Sequence, residues 1–131
     1  MTEPLEQPAT SPLNAVSNAL VALHKEQFGR GPTRAQTHFA GPDALLCILE
    51  DALLPAERKM AETGESQRVR ESRIAFQVAT SADFIAAIER ILQRKVVAFS
   101  STTDVDNDVV FENFVFEPVG TDGNGGPAPQ R

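Results

Sequence analysis

The sequence predicts an α+β domain, a two-layer arrangement in the order α-β-β-α-α-β-β. An antiparallel or mixed four-stranded sheet, built from two hairpins, is expected to be packed by two or three helices. Three observations carry this expectation. Residues 12–28 repeat their apolar side chains at steps of three and four. Two pairs of apolar or β-branched runs, 36–39 with 44–49 and 96–100 with 109–116, are each joined by a polar turn. Between the pairs lies a charged segment, 55–94, with helical spacing.

Ser11-Pro12 opens the first helix. A serine before the helix offers an acceptor to unpaired amides, and proline at the first helical position loses nothing by lacking an N–H. Leu13, Val16, Leu20 and Leu23 then form one apolar stripe, and Gly29, Gly31 and Pro32 stop the helix. Gln36–Phe39 and Ala44–Leu49 are strands around a Gly41-Pro42-Asp43 turn. The second of these is apolar at every position, so neither face of it is suited to water, and something must cover both. Pro55–Met60 begins a short helix that breaks near Thr63-Gly64-Glu65, and a longer one follows over 66–94. Thr80-Ser81-Ala82-Asp83 resembles a capping box, which would divide 66–94 in two; a single long helix is favoured. Val96–Ser100 and Val109–Phe116 are strands flanking an acidic turn, 104–108. The ends, 1–10 and 119–131, are rich in Pro, Gly and small polar residues. They are expected to remain disordered tails, leaving 11–118 as one folded domain.

A chain of 131 residues, 41% hydrophobic and 23% charged, suits a single globular core. The net charge of -6 argues against nucleic-acid binding through a general basic field. One cysteine makes no internal disulfide, and no basic-then-apolar leader is present, so a cytoplasmic protein is expected. No apolar run approaches the ~20 residues of a membrane helix.

Candidate chemistry is sparse. Asp104-x-Asp106-x-Asp108 opens like a calcium loop, but Val109 and Val115 stand where glycine and a bidentate glutamate are required. His24 adjoins the first apolar stripe and reads as structural, His38 lies on a strand, and Cys47 sits in the most hydrophobic run. A Cys47–His38 pair across the first hairpin lacks an orienting third group. No catalytic set, metal site or cofactor is expected. The arginines are more suggestive: Arg30, Gly31 and Arg34 after the first helix, with Arg70 and Arg73 on the long one, form a candidate anion or nucleotide site. The blander reading is structural ion pairing, with Glu57 or Glu71 as partner of Arg73. Leu46, Ile48, Phe114 and Phe116 are the candidate partner interface, most simply of a homodimer.

Four blocks resemble the MpsC-like family: Phe28-Gly29-Arg30-Gly31-Pro32, Leu53 to Ala61, Gln67 to Arg73, and Arg94 to Phe99 before the acidic turn. The resemblance covers about residues 13–118. It implies a soluble accessory or regulatory protein beside a sodium-translocating, membrane-potential-generating complex, and brings no catalytic residues with it.

Overall fold

Local sequence signals explain where each element of the chain begins and ends. The computed structural model describes residues 11–118, so the expected tails lie outside the described residues. Its elements are α1 (Pro12–Phe28), β1 (Arg34–Phe39), β2 (Ala44–Glu50), α2 (Pro55–Glu62), α3 (Ser66–Leu92), β3 (Val96–Asp104) and β4 (Val109–Phe116). The Ser11 hydroxyl accepts from the Asn14 amide at 3.1 Å, and Gly29, at φ 88°, closes α1 in the left-handed conformation. Gly31 is needed for a different reason. A Cβ there would stand 2.9 Å from the Val21 carbonyl oxygen, so only glycine lets the loop cross α1 this closely.

α3 is one continuous helix of 27 residues. The Thr80 hydroxyl donates to the Phe76 carbonyl one turn back, at 2.7 Å, instead of capping a new helix. α2 is anchored at its start by Glu57, whose Oε1 accepts from the Leu54 amide at 2.8 Å.

The sheet is antiparallel throughout, in the order β1-β2-β4-β3. The two hairpins therefore join through a central β2–β4 pair. Alternation assigns the faces. Leu45, Cys47 and Leu49 of β2 and Val110, Glu112, Phe114 and Phe116 of β4 are buried. The apolar members of this set form one core with Val16 and Leu20 of α1 and Phe84 and Ile88 of α3. This corrects one expectation. Phe114 and Phe116 face the chain's own helices, where each contributes ~1.5–3 kcal/mol by burial, and offer a partner nothing. Leu46 and Ile48 point to the opposite face and are half-buried, beside Phe111 and the 43% exposed Val115. A smaller cluster of Leu53, Val69 and Val105 seats α2 against α3.

Candidate functional site

The five expected residues do not gather around one site: of them, Arg70 and Arg73 share a pocket, of about 100 Å³, with Ser101 and Thr103 of β3. Arg30 commits Nη1 to the carbonyls of Asp51 (3.0 Å) and Leu53 (2.8 Å), and Nη2 to Asp51 Oδ2 (3.3 Å). The Thr33 hydroxyl donates to the same carboxylate at 2.9 Å, and Arg58 reaches both Asp51 and Asp108. The Thr33 and Arg58 hydrogen bonds, reinforced by the charges of Arg30 and Arg58, hold the Asp51 carboxyl below its ordinary range. Asp108 Oδ1 accepts from the amides of Ala52 (2.8 Å) and Leu53 (2.9 Å).

Arg73 clamps the same connection from the other side. Its Nε and Nη2 donate to the two oxygens of Glu57 at 2.8 and 2.5 Å, and Nη2 reaches the Ala52 carbonyl at 3.2 Å. Its guanidinium lies 4.0 Å from the centroid of the Phe28 ring. Glu57, not Glu71, is thus its partner. Arg34 pairs with Glu50 across the β1–β2 ladder at 3.6 Å, and Arg70 donates to Gln67 at 3.0 Å. Of the five expected anion-site residues, Arg30 and Arg73 lock the 51–57 connection, Gly31 serves the crossing of α1, Arg70 lies beside Arg73 at the α3–β3 pocket, and Arg34 stands apart on β1.

The other candidates separate as well. Cys47 pairs with Thr37 on the inner face, while His38 pairs with Leu46 on the outer one, so the two side chains never meet. Burial pushes the Cys47 thiol up to about 12, although the Thr37 hydrogen bond works in the other direction. In the acidic turn, Asp104 accepts from the Asn107 amide at 3.2 Å and its side-chain amide at 3.0 Å, and these bonds lower its pKa. Asp108 is committed to the 51–53 backbone. Among the described residues, no group of three His, Cys, Asp or Glu side chains could hold a metal ion.

One arrangement remains that packing alone does not explain. Between α1, α3 and the inner face of β3–β4 lies a cavity of about 20 Å³. His24 Nε2 and Glu112 Oε2 meet beside it at 2.9 Å, their side chains only 4% and 2% exposed. His24 Nδ1 and Glu112 Oε1 have no hydrogen-bond partner among the described residues. An unpaired buried polar atom costs ~1–3 kcal/mol, and a buried carboxylate costs more. The walls are aromatic. His24 meets Phe84 edge-on at 5.6 Å, Phe28 lies 4.8 Å from Phe76, and Phe84 stacks on Phe99 at 5.8 Å.

Simple periods build this site. Leu20, His24 and Phe28 lie four apart on α1, as do Phe76, Thr80 and Phe84 on α3. Phe99, Ser101 and Thr103 alternate inward on β3, with Ser101 opposite Glu112. Sequence reasoning identified His24 as structural and passed over Glu112. The available signal was an acid at the alternation position shared by Val110, Phe114 and Phe116.

Fold and site together define a small α+β domain with a narrow aromatic cavity and a half-satisfied ionisable pair at its floor. The chain belongs to the MpsC family: the family model described as "Na+-translocating membrane potential-generating system (MpsC)" matches residues 12–118. No curated protein and no solved structure matches it.

Proposed function

We propose that this chain is a non-enzymatic accessory or regulatory component of a Na+-translocating, membrane-potential-generating system, acting from the cytoplasm. The observation that carries the reading is the family match across residues 12–118. No helix among the described residues is long and apolar enough to cross a membrane, so the folded part acts by docking, not by conducting ions. The non-enzymatic reading is supported by the commitments of the reactive groups: the Cys47 thiol is buried and neutral, His38 faces away from it, and Arg30, Arg73 and Asp108 hold backbone.

The docking surface is the sheet face turned away from the helices, where Leu46 and Ile48 are joined by Phe111 and Val115. Its first occupant is a second copy of the chain. This face carries Arg34, Glu50 and Asp104 among mainly neutral side chains, so two copies can meet there without the repulsion that a chain of charge -6 would otherwise meet. Nucleic acid is not an expected partner.

The test is deletion of the gene in its native host, with the Na+-dependent membrane potential read by a voltage-sensitive dye. Loss of that potential, restored by the wild-type chain, supports the role, and an unchanged potential refutes it. Light scattering on Ile48→Asp tests the face separately: a dimer converted to monomer supports it, and an unchanged mass refutes it.

A further inference from the structure

We propose that the cavity beside His24 and Glu112 is a binding site for a primary ammonium group, with Glu112 as the anionic acceptor at its floor. This inference is independent of the docking role proposed above.

The sign of the ligand follows from the lining. Glu112 Oε1 is buried and lacks a donor, while its other oxygen is already held by His24. Arg73 also lines the cavity, but its charge is matched by Glu57, to which it donates two hydrogen bonds. An anion would therefore meet the free Glu112 oxygen, an acceptor with no hydrogen bond to offer it. A cation would supply the missing hydrogen bond and gain the attraction of a buried charge.

The walls narrow the class of cation. Phenyl rings present negative faces, and one of them, Phe28, already accepts the Arg73 guanidinium at 4.0 Å. Such walls suit a cation that tolerates carbon contacts. A sodium ion, by contrast, requires a nearly complete shell of oxygens. The absence of any three-residue metal set among the described residues argues equally against a divalent ion. Size narrows it further. About 20 Å³ accommodates one water-sized group, which fits –NH₃⁺ and excludes a trimethylammonium head. A primary ammonium has three donors. Glu112 Oε1 takes one, and the hydroxyls of Ser101 and Thr103, which also line the cavity, are acceptors for the others.

The same chemistry is available from a free small amine or from the lysine side chain of a partner. The experiment uses the full chain, with ¹³C-labelled histidine followed by NMR and melting temperature followed in parallel. Ammonium, methylammonium and backbone-blocked lysine are titrated against sodium and tetramethylammonium chlorides at equal ionic strength. The proposal expects a saturable shift of the His24 ring signals and a rise in melting temperature with an –NH₃⁺ group or ammonium itself, and neither with sodium nor with tetramethylammonium. Saturation by methylammonium identifies a free amine as the source, and saturation by blocked lysine alone identifies a partner's side chain. Glu112→Gln should weaken the apparent affinity at least tenfold. Should that variant fail to fold, Ser101→Ala should retain the fold and bind several-fold more weakly. Equal responses to sodium and ammonium, no saturation with any amine, or affinity undiminished in a folded variant would overturn the proposal.

Discussion

Two ion pairs in this molecule, one partly buried and one fully buried, differ in how their atoms are satisfied. Arg73 and Glu57 are joined by two hydrogen bonds, and they also engage the Ala52 carbonyl, the Leu54 amide and the Phe28 ring. His24 and Glu112 are joined by one, and each keeps an unpaired atom while lining the same cavity. A buried pair adds stability only when its surplus donors and acceptors are also satisfied. The first pair is therefore a clasp on the 51–57 connection. The second leaves His24 Nδ1 and Glu112 Oε1 without a partner among the described residues, beside a cavity of water size.

The largest effect expected from this contrast is at the clasp. Arg73→Ala leaves the partly buried Glu57 without its charge partner and should lower unfolding stability by about 3 kcal/mol in urea titration, the lower end for a buried pair. Asp108→Ala removes the acceptor of the Ala52 and Leu53 amides and a partner of Arg58, and should cost about 2–3 kcal/mol by the same measurement. A loss below about 1 kcal/mol at either position, the size of one ordinary hydrogen bond, would mean that the connection is held by Leu53, Val69 and Val105 instead.

Cys47 gives a subtler check on the core beside the two pairs. Its thiol is pushed up from 9.0 to about 12 in the folded chain, so both states are neutral at lower pH, and only the unfolded state ionises as pH rises between those values. Stability should therefore fall across that window more steeply in the wild type than in Cys47→Ala, as followed by melting temperature against pH. At the bottom of the scale, Lys59 and Glu62 form a pair with side chains 75% and 67% exposed. Glu62→Gln should leave the melting temperature unchanged.

Most of the fold is legible in the sequence because local signals set it. The α1 limits, the start of α2 after Leu54 and the β4 limits coincide with Ser-Pro, Pro and Gly punctuation and with alternation. The continuity of α3 through Thr80 is less local, since the same hydroxyl can cap a new helix or bond back to Phe76. The site is harder to read. Glu57 is legible as a candidate partner of Arg73, but the Asp51, Ala52 and Leu53 groups that also claim the arginines come from a connection with no local signal. His24 and Glu112 are 88 positions apart and meet only after β4 enters the sheet between β2 and β3. The expected interface failed at Phe114 and Phe116 for a related reason: apolar content does not say which face is inward until alternation is combined with helix placement.

The contrast between the pairs can be measured directly by replacing each with apolar residues and comparing urea unfolding. His24→Leu/Glu112→Leu should be at least as stable as the wild type, to within about 1 kcal/mol, because it removes two buried unpaired atoms. Arg73→Met/Glu57→Met should be several kcal/mol less stable, because the Ala52 carbonyl and the Leu54 amide lose their partners. If the His24/Glu112 double variant instead loses as much stability as the Arg73/Glu57 one, the cavity pair is a structural clasp like the other, and its unpaired atoms mark no place for a ligand.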